Sequence, residues 1–267
     1  VFIGTIHAFC ARLLRERPLE VGLDPAFQEL PVEERIRVRH HFWEAYLERL
    51  VRDADPILEE LSDAGLQPSR LWGLFNHLVE NPDVDFPTDE VASPKPSELT
   101  EVRGQLEELV DRAWELMPDH EPQRSWDPLQ KKLRTLHFTR DVTGWKKPPE
   151  LFDALSKLCK SGPTPHKITK NRWKDGDLAK ALCDNVNAFG VGDTPAHRLV
   201  NRWYGHRYRL AVRLGLHAAR DFAAHRKRTG RLDFQDLLVL TADLLRGNND
   251  VRKQLGRRYR RILIDEF

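Results

Sequence analysis

Apolar residues recur three and four positions apart along most of this chain, which predicts a protein built mainly of helices. Near the start, Ile6, Phe9 and Leu13 share one helical face, and Thr5 before them has a side chain suited to capping that helix. Similar stretches predict further helices from residue 31 onward and at 56–64, 68–79, 99–116, 127–139, 149–159, 177–189, 195–228, 233–245 and 251–259.

Two short apolar runs at the ends of the chain have a different pattern. Val1-Phe2-Ile3-Gly4 is typical of the end of a buried strand, and Ile262-Leu263-Ile264 of a parallel strand buried on both faces. The order strand–helix, helical body, helix–strand predicts a mainly α fold. A helical subdomain, 31–216, is inserted into an α/β domain, of which only the flanking strand–helix and helix–strand pieces, 1–30 and 217–267, are present. The proline-rich stretch 81–97 and the lysine-rich stretch 160–174 are expected to be loops.

Composition narrows the class of protein. Hydrophobic residues make up 40% and charged residues 31% of the chain, as in soluble helix-rich proteins. No apolar stretch approaches the ~20 residues of a membrane span, so no membrane partner is expected. Cys10, Cys159 and Cys183 are far apart and lack metal-ligand spacing, which favours reduced thiols in the cytoplasm.

The net charge of +2 hides a strong segregation of charge along the chain. Residues 31–121 carry 22 acids and 9 bases, a net charge of −13, whereas 125–175 carry 12 bases and 5 acids, and 196–261 carry 17 bases and 5 acids. A polyanion responds to a local basic surface and not to the average, so the second half is a candidate for binding nucleic acid. The alternative is that these charges only keep helices solvated.

Two sites have the residue types of nucleotide or phosphate chemistry. Thr5 and His7 lie in the first turn of a helix that follows a strand, where free backbone N–H groups and the helix dipole favour a phosphate. Asp265 and Glu266 directly follow a buried strand, as do carboxylates that hold Mg²⁺ and orient water in nucleotide hydrolases. Each has a simpler interpretation, as a helix cap in the first case and as an ordinary acidic strand end in the second.

Three segments in a fixed order together resemble the UvrD/Rep-like superfamily 1 DNA helicases, most closely the AddA/RecB (exonuclease V beta) branch. They are Thr-Ile-His-Ala-Phe-Cys at 5–10, continued by Arg-Leu-Leu-Arg at 12–15 and Gly-Leu-Asp-Pro-Ala-Phe at 22–27; Arg-Leu-Asp-Phe-Gln-Asp-Leu-Leu at 231–238; and the terminal 260–267. The resemblance implies a RecA-like P-loop NTPase motor domain that carries the helical insertion.

The resemblance also implies roles for individual residues. Thr5 and His7 would contact the backbone of single-stranded DNA. Asp265 would coordinate the Mg²⁺ of bound ATP, and Glu266 would act as the base that activates water. Gln235 departs from the acidic residue that is commoner at the third position of Asp233-Phe234-Gln235-Asp236, so this segment is interpreted as architectural.

The implied parent protein is an ATP-dependent helicase, with exonuclease activity possible, that acts on single-stranded and duplex DNA beside a second helicase/nuclease subunit. The sequence contains no Gly-x₄-Gly-Lys-Ser/Thr phosphate loop. The chain is therefore expected to be a fragment that by itself binds no ATP or Mg²⁺ and is inactive in hydrolysis and unwinding.

A basic segment in the helical body is the further candidate for DNA contact. Its predicted contacts are Lys146, Lys147, Lys167, Lys170, Arg172 and Lys174. The tryptophans among them, Trp145 and Trp173, and Trp203 farther along, are expected to be core residues, with base stacking as the alternative. A different class of function also stays open, in which the chain is a non-catalytic helical docking module whose acidic half binds a partner protein.

Overall fold

The computed structural model describes residues 3–87, 89, 91–160 and 164–260. In these ranges the chain is mainly helical, as predicted, with two short strands. The helices, in chain order, are α1 Ile6–Glu16, α2 Pro18–Val21, α3 Val32–Arg52, α4 Ile57–Asp63, α5 Trp72–Glu80, α6 Pro96–Leu116, α7 Pro128–Thr143, α8 Pro148–Leu158, α9 Gly176–Gly190, α10 Pro195–Thr229, α11 Phe234–Gly247 and α12 Asn249–Arg258. The strands are β1 Gln28–Glu29 and β2 Arg231–Leu232, and 3₁₀ turns occupy Pro68–Leu71 and Lys170–Arg172.

The chain forms two compact units. The first contains the described residues up to 53, then 72–84, and then 215 onward; the second contains 54–71 and the described residues from 85 to 214. Helices α3 and α5 therefore belong to the first unit, although the sequence placed 31–216 together. The assignment of 1–30 and 217–267 to a motor domain stays a prediction.

In the first unit, two distant chain segments meet in a short parallel pairing. Gln28 pairs with Arg231 and Glu29 with Leu232, and the pairing is closed by the Leu30 N–H, which donates to the Leu232 carbonyl at 2.7 Å. Helices α1 and α11 pack together beside the pairing. The core there is formed by Cys10, Ala11, Leu14, Val21, Leu23, Phe27, Leu232, Leu237, Leu244 and Val251.

The second unit is a helical bundle in which α6 packs against α7, α8 and α9. The apolar faces predicted from sequence point inward, and Leu106, Leu133, Leu151 and Val186 are buried. Gly65 turns the chain after α4 with φ +65°. A Cβ atom at that position would stand 2.7 Å from Pro149, so both the backbone and the packing require glycine.

The helix boundaries follow the local sequence closely. Thr5 and Asp233 accept hydrogen bonds from the first turns of α1 and α11, as expected of N-cap residues. Gly230 has φ +62° directly after α10, the left-handed conformation typical of a glycine that ends a helix. Within the described part of the chain, no helix is both long enough and apolar enough to cross a membrane.

The structure describes only part of the two predicted terminal strands. Ile3 is 92% exposed and lies outside the strands, so the expectation that it is buried in one was wrong. The physical reason is that no described strand lies alongside Ile3 to cover it. The rest of these two predictions, Val1, Phe2 and residues 261–264, lies outside the described residues.

Candidate nucleic-acid interface

The first turn of α1 carries the predicted contacts Thr5 and His7. The Thr5 hydroxyl accepts a hydrogen bond from the Ala8 N–H at 3.2 Å, and the Thr5 side chain is exposed. The remaining N–H groups of the first turn have no partner within the helix, because an α-helix leaves its first four donors unsatisfied. Such a terminus attracts anions through these donors and the positive end of the helix dipole.

His7 connects two segments that are more than 200 residues apart in sequence. Its ring lies 4.7 Å from the ring of Phe234, measured between centroids and tilted by 37°. The guanidinium carbon of Arg35 lies 4.3 Å from the centroid of the same Phe234 ring. The His7 segment and the Asp233–Asp236 segment, recognised separately in the sequence, are therefore in contact in the first unit.

A buried ion network holds the start of α11 in place. Asp233 and Asp236 form a reciprocal capping box, in which each side chain accepts the other's backbone N–H at 2.9 Å. Arg226 of α10 donates to Asp236 at 2.6 Å and lies 3.5 Å from Asp233. Arg39 of α3 lies 4.0 Å from Asp233 and pairs with Glu80 at 2.6 Å.

The sequence analysis did not predict this network and interpreted the segment only as architectural. Arg226, Asp233 and Asp236 are all less than a tenth exposed. Burial raises the pKa of Asp236 above its ordinary value, and the charge of Arg226 opposes part of that rise. The cap residue Asp233 was recognisable, but its two arginine partners come from other helices and leave no local pattern.

In the second unit, the basic segment is held against α7 by one buried carboxylate. Asp127 caps α7 and also accepts hydrogen bonds from the Thr169 N–H at 3.2 Å and the Trp173 indole N–H at 2.8 Å. Gln130 donates to the Arg172 carbonyl at 2.8 Å. The described residues 164–174 are thus an anchored loop whose lysines are exposed.

The predicted contacts of this segment fall into two groups. Lys146, Lys147 and Lys167 are exposed and have no ion-pair partner in the described ranges. Lys170 pairs with Asp177 at 2.6 Å and Lys174 with Asp119 at 2.9 Å. Arg172 is half-buried and donates to the Ser125 carbonyl at 3.2 Å, so it supports the loop.

The three tryptophans near the basic residues are core residues, as expected. Trp145, Trp173 and Trp203 are all buried, and the Trp203 ring stacks on Phe152 with centroids 4.6 Å apart. These rings are therefore closed to base stacking. The exposed candidates for DNA contact that remain are charged side chains and backbone N–H groups.

The predicted catalytic and Mg²⁺ residues Asp265 and Glu266 lie outside the described residues. Mg²⁺ prefers oxygen ligands such as carboxylates, so these two residue types are suited to binding the implied ion. Among the described residues, no group of three or more histidine, cysteine or acidic side chains is arranged to hold a metal.

Comparison with known proteins identifies the family. The model of the UvrD/REP helicase N-terminal domain matches residues 1–267. The AddA subunit of the ATP-dependent helicase/nuclease from Limosilactobacillus fermentum is 25% identical in an alignment covering 99% of this chain and 24% of that protein. A protein of the same name from Exiguobacterium sibiricum is 39% identical over 62 residues, 23% of this chain and 5% of that protein.

The chain thus spans about a quarter of the length of the first relative. The resemblance drawn from the three sequence segments is confirmed, and it extends through the helical body as well as the motifs. The chain belongs to the family of UvrD/REP helicase N-terminal domains.

Proposed function

We propose that this chain is part of an ATP-dependent DNA helicase/nuclease subunit that moves along single-stranded DNA and unwinds duplex DNA in recombination and double-strand break repair. The family membership and the names of the two relatives support this proposal. The observation that carries it is the contact between His7 and Phe234, because it joins two of the family's segments in one site.

In this proposal, Thr5 and His7 contact the phosphates of the single strand. Thr5 is exposed and His7 half-buried, and both stand at the positive end of α1. The ring of Phe234 packs against the His7 ring. Phe234 and Arg35 are thus positioning residues for His7.

The exposed lysines of the second unit form a second DNA-contacting surface. Lys146, Lys147 and Lys167 are available for phosphates without breaking an ion pair seen in the described ranges. The ion pairs of Lys170 and Lys174 are exposed, so solvent screens them and they contribute little to stability. A phosphate therefore displaces their carboxylate partners at small cost.

The ATP chemistry is proposed for the parent protein. Asp265 would hold Mg²⁺ and Glu266 would orient water there, while the phosphate loop is absent from these 267 residues. We therefore expect no ATP hydrolysis from this chain alone. An ATPase activity stimulated by single-stranded DNA would contradict that expectation.

The parent protein is proposed to act in the cytoplasm with a second helicase/nuclease subunit. The region 31–121, with its net charge of −13, suits contact with a basic partner surface. If this contact were the chain's only role, the chain would be a docking module and would bind no DNA.

The test is binding of a labelled single-stranded oligonucleotide across a salt series. DNA contact predicts that affinity falls steeply as salt rises, because phosphate contacts release counterions. Combined Lys146→Gln, Lys147→Gln and Lys167→Gln should lower the salt slope by about 2, at about 0.7 for each contact with a single strand.

A matched control removes the same charge elsewhere. Lys95→Gln, Lys131→Gln and Lys253→Gln replace exposed lysines outside the predicted interface. This variant should retain nearly the full slope. Equal effects of the two variants would show that only overall charge matters for binding. If the unaltered chain does not bind DNA, the docking function would replace the DNA-binding function.

A further inference from the structure

An open cleft in the first unit is lined mainly by positive charge. It lies between α3 and the end of α10 and has a volume of about 690 Å³. Thirteen residues line it, of which six are arginines and two are histidines, and no aspartate or glutamate is among them. The Phe42 and Tyr46 rings supply its aromatic lining.

Half of these arginines are neutralised by carboxylates. Arg226 is held by the buried Asp233 and Asp236. Arg49 pairs with Asp221, and Arg231 pairs with Glu34 at 2.6 Å. These three shape the cleft but leave little charge for a ligand.

The other three arginines carry positive charge that no close carboxylate neutralises. Arg37 and Arg228 are exposed and have no carboxylate partner in the described ranges. Arg52 has only a 3.9 Å contact with Asp53, and both of these side chains are mostly exposed. The Arg228 guanidinium donates to Nδ1 of His225 at 3.3 Å, and this neutral acceptor leaves the charge of the arginine uncompensated.

The surroundings of His225 disfavour its protonated form. Burial lowers the pKa of His225 below its ordinary value, and the charges of Arg228, His41 and Arg226 lower it further. A protein surface that concentrates like charges in one groove is destabilised until an anion enters it.

The arrangement along α3 suits an extended polyanion. The lining residues Arg37, His41, Ala45, Arg49 and Arg52 follow one another at intervals of four, four, four and three, which makes a single helical stripe. At ~1.5 Å per residue the stripe is about 22 Å long. It can therefore face several consecutive negative groups.

We propose that this cleft binds the phosphodiester backbone of single-stranded nucleic acid, with phosphates at Arg37, Arg52 and Arg228. Guanidinium groups match phosphate oxygens in bidentate geometry. The proposal rests on the proposed function, since it takes DNA as the polyanion. It adds a DNA-binding site that is separate from Thr5 and His7 and from the basic segment of the second unit.

The first experiment is fluorescence anisotropy of a labelled oligothymidylate titrated with the whole chain. Combined Arg37→Gln, Arg52→Gln and Arg228→Gln should weaken binding by about tenfold or more at low salt. The slope of log affinity against log salt should fall by about 2, from three lost contacts of about 0.7 each.

The control variant combines Arg70→Gln, Arg124→Gln and Arg246→Gln, which are exposed arginines outside the cleft. It removes the same formal charge and should change binding much less. If the unaltered chain binds DNA and the cleft variant behaves like this control, the cleft proposal is overturned while the proposed function stands. If the unaltered chain does not bind DNA, both fail.

The second experiment needs no substitution and so is independent of folding defects. Arginine-specific chemical modification of the unaltered chain, read by mass spectrometry, should be slowed by oligothymidylate at Arg37, Arg52 and Arg228 but not at Arg70. Equal modification with and without DNA would contradict the proposal. Stronger protection by polyglutamate than by the oligonucleotide would also contradict it, since it would identify an acidic protein as the ligand.

Discussion

Removing the Arg226 side chain by the substitution Arg226→Met should strongly destabilise the first unit. Arg226 neutralises two carboxylates at the start of α11, at 2.6 Å from Asp236 and 3.5 Å from Asp233. All three side chains are buried, so water cannot replace the guanidinium. The methionine fills similar space, which confines the effect largely to the lost charge.

The expected loss in free energy of unfolding is about 3 kcal/mol. Removing one partner of a buried ion pair costs about 3–5 kcal/mol. Two features of the structure favour the lower end of that range. Arg39 remains 4.0 Å from Asp233, and the raised pKa of Asp236 makes it ready to take up a proton when its counter-charge is gone.

Urea unfolding followed by far-UV circular dichroism measures this loss. With a slope of about 3 kcal/mol/M, the midpoint should fall by about 1 M. Adding Asp236→Asn to Arg226→Met should recover part of the loss, because it removes one uncompensated charge. Lowering the pH from 7 should also narrow the gap to the unaltered protein, since a carboxyl whose folded pKa is raised gains stability as it is protonated.

A loss below about 1 kcal/mol would refute this reasoning, because exposed pairs have energies of that size. The reasoning would also fail if Asp236→Asn lowered stability as much in the Arg226→Met background as in the unaltered chain. Either result would mean that the carboxylates are effectively solvated.

Three further predictions concern stability. Thr5→Ala should cost about 1 kcal/mol in thermal unfolding through loss of the α1 cap, whereas Thr5→Ser should cost little. Gly65→Ala should destabilise the protein by more than about 1 kcal/mol, because φ is positive and Pro149 leaves no room for the added methyl group. As a control, Gly104→Ala, in open space within α6, should stabilise the protein by about 0.5–1 kcal/mol. Equal effects of the two substitutions would contradict the packing argument. Burial lowers the pKa of His166, so folding must remove its proton, and stability should fall as pH drops below about 6.5. His166→Gln should flatten this decline when urea midpoints are measured across pH. An unchanged pH profile in that variant would contradict the role of His166.

The sequence predicted the helices well because their signals are local. The caps Thr5 and Asp233, the prolines at helix starts and the three-to-four spacing of apolar residues lie within each helix or beside it. The helix predicted at 195–228 is found as Pro195–Thr229. Boundaries of this kind are fixed by neighbours in sequence.

What the sequence did not yield depends on residues far apart in the chain. Strands β1 and β2 have two residues each, too short for an alternating pattern, and they pair across about 200 residues. The approach of Phe234 to His7 and the basic cleft require α1, α3, α10 and α11 to be brought together in three dimensions. Residue types alone gave no sign of these contacts.

Photocrosslinking of the whole chain to a bromodeoxyuridine-substituted single strand, followed by peptide mapping, tests most directly whether these surfaces bind DNA. The account predicts crosslinks in the first turn of α1, around His7, and in the basic loop 164–174. Crosslinks confined to the acidic region 54–121, or none at any salt concentration, would contradict it.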